Sequence, residues 1–315
     1  MTLKKLATSL LIASFALGGC AVFVDQRAEK REAQAEAAYP PTGQFVTVKG
    51  ARIHADVQGA GPDLVLIHGA SGNSRDFTFD LVERLKGDFR VISFDRPGMG
   101  WSDSLPGTDI SPLAQADALI QAALALGVQD PIVLGHSYGG AVAMSWALRA
   151  QPKALVIVSG ATMPFPGDLG LWYSLTSSAL GGATVVPLIT AFAPENRVET
   201  ALENIFAPQA APEGYDAYIG AGLTLRRRAL RVNGRQVNNL KPHLLLMEPH
   251  YPRLTLPVEI IHGTADTTVP MKIHAVPLSQ RLPNAHLTVL DGVGHMPHHT
   301  NPDEIVAAIH RAARR

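Results

Sequence analysis

Cysteine is almost absent: Cys20 is the one thiol in 315 residues, which rules out an intramolecular disulfide. There is no C-x-x-C or H-E-x-x-H spacing, so the sequence offers no metal-ligating pattern and no metal is expected. No G-x-G-x-x-G follows an apolar run, and without that phosphate-cradling turn no nucleotide cofactor is expected. An excess of one charge is lacking too. Lysine plus arginine and aspartate plus glutamate both number 27, which argues against nucleic acid as a partner, because phosphate binding needs a basic field. Charged residues make up 17% and aromatic residues 6%, against 46% hydrophobic residues, so a large core can be buried. The length suits one catalytic domain carrying an insertion.

The N-terminus has the layout of an export signal. Lys4 and Lys5 precede an uncharged run from Leu6 to Val24. Within it, Leu17-Gly18-Gly19-Cys20 resembles the cleavage box of bacterial lipoproteins, in which the cysteine is lipidated. An ordinary signal peptide or an uncleaved anchor stays open, since about 20 apolar residues can span a bilayer. Each form places the following domain outside the cytoplasm, and the lipoprotein and anchor forms hold it to the membrane of a bacterial cell envelope. Residues 25–43 mix charges without apolar periodicity and read as a linker, either an open tether or a short solvated helix.

From residue 44 the pattern changes. Phe45 to Val48 and Ile53 to Val57 flank a Lys49-Gly50-Ala51 turn and predict an antiparallel hairpin. Short apolar runs then alternate with helical spacing: Leu64 to Ile67, Arg90 to Phe94, Ile132 to Leu134, Ala154 to Val158, Val258 to Ile261 and His286 to Leu290. Continuous apolar strands of this kind are buried on both faces, which predicts an α/β fold with a mostly parallel sheet between helices. The alternation stops between about residues 162 and 255. That stretch is expected to be a mainly helical cap over the strand ends, inserted into a domain spanning 44–313.

The strongest local signal is Gly135-His136-Ser137-Tyr138-Gly139, set between an apolar run and a helical one. Strand, sharp turn and helix are the context in which G-x-S-x-G exposes a serine for attack, although a serine there could also cap the helix. Three further motifs sit at strand ends: His68-Gly69-Ala70, the Asp95 to Ser102 loop, and the pair Asp266 and His295. With these four in order, residues 44–313 resemble the α/β-hydrolase fold, in its serine-nucleophile subgroup with a cap between the sixth and seventh strands.

The resemblance implies a Ser-His-Asp triad acting through an acyl-enzyme. Ser137 would be the nucleophile and His295 its base. Asp266 would orient the imidazole, with an Asx turn as its competing role and Asp168 as a substitute acid. The backbone N–H groups of Tyr138 and Ala70 would form the oxyanion hole, with Ser71 as the alternative to Ala70. Trp101, Trp172, Tyr173 and Phe192 are candidate walls of the substrate pocket, set against simple packing roles. His298 and His299 read as surface or pocket-rim residues, and His68, His136 and His262 as locally bonded. The arginines at 226–228, 231 and 235 read as a solvated helix face or as a site for anionic substrates or lipid headgroups. The expected activity is hydrolysis of a small, apolar carboxylic ester. Thioester, amide or carbon–carbon substrates, perhydrolysis, and a non-catalytic binding lipoprotein are the alternatives.

Overall fold

The computed structural model describes residues 3–105 and 110–315, with residues 3–17 and Glu195 given by backbone alone. Met1 and Thr2 of the expected leader lie outside the described residues. The hairpin forms from β1 (Gln44–Val48) and β2 (Ala51–Gln58), paired antiparallel. Six strands follow: β3 (Asp63–Ile67), β4 (Arg90–Phe94), β5 (Ile132–His136), β6 (Ala154–Val158), β7 (Val258–Gly263) and β8 (Ala285–Leu290). They make one sheet in the order β1-β2-β4-β3-β5-β6-β7-β8, parallel from β4 onward, with β2 antiparallel to β4.

Helices cover both faces of this sheet. Before the cap the chain forms α2 (Arg75–Thr78), α3 (Leu81–Leu85), α4 (Pro112–Ala125) and α5 (Tyr138–Ala150), and a leading helix, α1 (Leu3–Ala38), that lies apart from the sheet. Side chains alternate along each strand, so Val65 and Ile67 face the layer of α4 and α5 while Leu64 and Leu66 face α3 and the C-terminal helix. This two-sided burial is why the strands carry unbroken apolar runs.

Between β6 and β7 the chain leaves the sheet as α6 (Leu171–Ser177), α7 (Ala179–Phe192), α8 (Glu195–Phe206), α9 (Tyr215–Tyr218), α10 (Ala221–Thr224), α11 (Arg227–Asn238) and α12 (Leu240–Met247). This helical cap is bonded to the loops at the strand ends. Tyr218 Oη donates to the Thr78 carbonyl, and Gln236 Nε2 donates to the Pro97 carbonyl. The chain closes with α13 (Ala275–Arg281), α14 (Pro297–Thr300) and α15 (Pro302–Arg314). Asn301 stands at the cap position of α15, but its side-chain oxygen takes the Thr300 hydroxyl instead of capping.

Residues 25–38 differ from the tether expected of them. They are the second half of α1 and lie on the cap. Ala28 and Ala35, two turns apart, are buried in the contact. Arg27 and Arg31 donate to the carbonyls of Ala191 and Ala193 at the end of α7. Glu32 pairs with Arg227 at 2.7 Å and Glu36 with Arg226 at 2.8 Å. Mixed charge reads as solvated in a sequence; here each sign meets its partner on another helix.

Candidate active site

β5 ends at His136, and the next residue, Ser137, has φ 53° and ψ −119°. A side-chain-bearing residue in that region is strained, and the surrounding contacts must hold it there. They do so through both flanking glycines. A Cβ on Gly135 would lie 2.3 Å from the Gly139 carbonyl oxygen, and one on Gly139 would lie 2.1 Å from that of Ile67. The turn is thus wedged between helix α5 and strand β3 with no room for larger residues. Ser137 is buried at the N-terminus of α5.

Gly69 passes directly over this serine. A Cβ there would sit 3.0 Å from the Ser137 Cβ and 3.5 Å from its Oγ. The loop is aimed by Arg96, a residue that the sequence did not single out. Its guanidinium is fully buried and donates to the carbonyls of His68 (3.0 Å) and Gly69 (2.9 Å), and to Gln115 (2.9 Å) and Gln236 (2.6 Å). It also stacks 4.4 Å from the centre of the Tyr138 ring. Burial without a carboxylate partner pulls its pKa down to about 10, so it remains a cation at neutral pH. Because a trans peptide is planar, the Gly69 carbonyl that faces Arg96 directs the following Ala70 N–H the opposite way. The Ser71 N–H is already donated to Asn233 Oδ1 at 2.8 Å.

Asp266 and His295 come together beyond β7 and β8. His295 Nδ1 donates to Asp266 Oδ2 at 2.7 Å, with both side chains buried. The second oxygen, Oδ1, accepts from the backbone N–H groups of Thr268 and Val269 at 2.9 and 2.8 Å. The turn role and the histidine-holding role are therefore filled at once, one by each oxygen. Burial opposes the charge of Asp266, but hydrogen bonds from His262 and His295 outweigh it and hold the carboxyl well below its usual range. The His295 loop packs closely: a Cβ on Gly294 would meet the Ala207 carbonyl at 2.2 Å. His136, the neighbour of Ser137, donates from Nε2 to the His295 carbonyl at 3.0 Å. That bond pins the serine turn to the histidine loop.

A model of the alpha/beta hydrolase family matches residues 64–308. The chain belongs to this family. Among its relatives, a pimeloyl-[acyl-carrier protein] methyl ester esterase from Vibrio parahaemolyticus is 29% identical over 262 residues, 82% of this chain and 96% of that one. An esterase structure from a Rhodococcus species superposes with a TM-score of 0.66 at 25% identity, covering 85% of this chain and 96% of that chain. A bacterial membrane phospholipase A shares the fold with a TM-score of 0.65 at 18% identity, covering 100% of this chain and of that one. The protein is a hydrolase.

Not all predicted residues of this alpha/beta hydrolase lie where the sequence put them. Asp168 is exposed in the loop before α6 and is no substitute for Asp266. Trp101 has a structural contact in place of a free face: its Nε1 donates to the Tyr39 carbonyl at 2.9 Å and Arg226 lies over its ring, so it fastens the end of α1. Trp172 and Phe192 lie on the outside of the cap, about half exposed, and Phe192 packs on Phe23 and Arg27 of α1. Of the four pocket candidates, Tyr173 alone packs against the main core cluster.

His298 and His299 are fully or nearly buried, not at the rim. Both donate from Nε2 to Asp76, at 3.2 and 2.8 Å, and Tyr215 Oη adds a third bond at 2.8 Å. Among the described residues, Asp76, His298 and His299 form the one group with the composition and spacing to hold a metal ion. Their ligand atoms already satisfy one another, so the cluster is closed as it stands. His68 behaves as expected: Nδ1 donates to the Gly69 carbonyl, Nε2 accepts from the Arg96 N–H, and burial brings its pKa down to about 4.

Proposed function

We propose that this hydrolase cleaves a carboxylic ester of a small, apolar acyl substrate through an acyl-enzyme. Ser137 is the nucleophile, His295 the base and then the acid for the leaving group, and Asp266 the group that fixes the imidazole tautomer. The N–H groups of Ala70 and Tyr138 stabilise the oxyanion. The observation that carries this reading is the strained Ser137 turn beneath Gly69, pinned to a loop whose His295 is held at 2.7 Å by Asp266. The engagement of the Ser71 N–H by Asn233 favours Ala70 as the second donor.

A fluorophosphonate probe should label wild-type protein at Ser137 and leave Ser137→Ala unlabelled. On a panel of short acyl esters Ser137→Ala should lose about 10⁴- to 10⁶-fold in kcat. Equal turnover by the two proteins would sink the assignment. The N-terminus is read as an export signal that leaves the enzyme tethered to a membrane, by a lipid on Cys20 or by the apolar run itself. Cys20 is exposed, as acylation requires.

A further inference from the structure

The charge-free stretch Leu171–Phe192 forms α6 and α7, which bend by 104° at their junction. Among the described residues no single helix is long and apolar enough to cross a membrane, and this bent pair is apolar enough only when its two parts are taken together. Its outer side is open. Leu171 is 87% exposed, Leu180 76%, Trp172 48% and Phe192 46%. Phe23 of α1, 58% exposed, meets Phe192 with ring centres 6.3 Å apart, and Val22 beside it is 57% exposed. Scattered exposed apolar residues need no explanation, but Leu180, Leu188 (47% exposed) and Phe192 follow at multiples of four residues on one face of α7, and α6 precedes them with Leu171 and Trp172.

The patch has a basic border. A cleft of about 670 Å³ lies where α6 meets α7, lined there by Ser177, Ser178 and Gly182 and from α11 by Arg228, Arg231 and Arg235, with Glu32 also in its wall but paired with Arg227. Arg231 and Arg235 stand one turn apart on the exposed face of α11, and among the described residues neither has a carboxylate partner. Arg231 donates to the Gly182 carbonyl at 2.7 Å, which holds the basic side against the apolar elbow. An apolar face edged by arginines whose charge meets no carboxylate among the described residues is complementary to one kind of surface, a bilayer containing anionic lipid.

We propose that the α6–α7 elbow, with Val22 and Phe23, is a bilayer-docking face, and that Arg231 and Arg235 receive anionic lipid headgroups at its edge. The proposal rests on the reading of the N-terminus as a tether. A lipid on Cys20 and an inserted apolar run both end next to Val22 and Phe23, so either tether delivers this same side of the cap to the membrane.

The test uses the full-length protein with vesicles of phosphatidylcholine and phosphatidylglycerol, some carrying bromine near the top of the acyl chains. Trp146 is buried and Trp101 is half-buried, so the Trp172 signal is read as the difference between wild type and Trp172→Phe. A face seated about 5–10 Å into the headgroup boundary should lose roughly half of that emission to the bromines. Leu171→Asp with Leu180→Asp should restore the emission while the protein still floats with the vesicles. Arg231→Glu with Arg235→Glu should remove the advantage of anionic over neutral vesicles. Fluorophosphonate labelling of Ser137 checks that each variant is folded, and it fails separately if the hydrolase reading is wrong. A protein that floats while Trp172 stays unquenched and open to aqueous acrylamide overturns the docking face alone. A protein that does not float overturns the tether reading and this proposal with it. Shielding of Trp172 without lipid, together with self-association, overturns the proposal in favour of a second copy on this face.

Discussion

Two buried carboxylates flank the serine turn, and each is bonded to histidines, but they are bonded differently. Asp266 gives one oxygen to two backbone N–H groups and the other to His295, with His262 Nε2 also 3.1 Å from it. Asp76 gives both oxygens to side chains, His298, His299 and Tyr215. In the first case the backbone holds the carboxylate still, and one histidine beside the reactive turn is oriented by it. In the second, two histidines and a tyrosine are spent on a single charge, tying α2, α9 and α14 together. Burial lowers the His298 pKa to about 4 and the neighbouring Asp76 only partly offsets this, so the ring stays neutral near pH 7. Similar residue types thus give an oriented histidine–carboxylate pair on one side of His136 and a closed structural knot on the other.

Substituting each carboxylate by its amide separates the two roles most sharply. Asp266→Asn keeps the shape but loses the charge and the acceptor that fix His295, so kcat should fall about 10⁴-fold with little change in Tm. Asp76→Asn should do the reverse. It places an amide among donors, and a loss of about 3 kcal/mol in stability is expected with kcat per folded molecule within tenfold of wild type. Denaturant unfolding and ester turnover on the same samples would show whether the effects split this way. If Asp76→Asn slowed turnover as strongly as Asp266→Asn in a stable protein, the knot would be part of the chemistry.

The serine turn, the strands and the place of the cap could be read from the sequence because their rules are local. Gly135, Ser137 and Gly139 mark a turn that only small residues can make, and two-sided burial writes itself into each strand as an apolar run. The Asp76 knot could not be read, because Tyr215 lies 139 positions from Asp76 and the two histidines 222 and 223, and neither histidine has a local role. Arg96 carries one signal in the sequence, a lone cation between Asp95 and Pro97, and nothing local says that it is buried. The outward placement of Trp172 and Phe192 and the seating of α1 depend on which helix faces what. Composition gives no access to that.

Arg96 tests how far the serine side of the comparison reaches beyond the proposed triad. Arg96→Lys keeps a positive charge but cannot hold the carbonyls of His68 and Gly69 together in the same fork. If the loop aims the Ala70 N–H at the oxyanion, kcat should fall about 10²-fold with KM nearly unchanged. A rise in KM with kcat preserved would place Arg96 in substrate binding instead.

The smallest expected effect belongs to the knot and is read as a slope. His68, His274 and His298 are each brought down to about 4 from 6.5, chiefly by burial. Between those two values the unfolded chain binds more protons than the folded one, so stability is complete above about pH 6.5 and falls as the pH drops toward 4. The carboxyls of Asp76 and Asp266, whose values are depressed, add their losses only below this window. His298→Asn removes one proton uptake and should flatten the slope of unfolding free energy by up to about 1.4 kcal/mol per pH unit within it. Urea titrations at pH 7, 6 and 5 measure that slope. An unchanged slope would mean that His298 is protonated in the folded protein, and Asp76 would then be half of a charged pair and not the acceptor in a neutral knot.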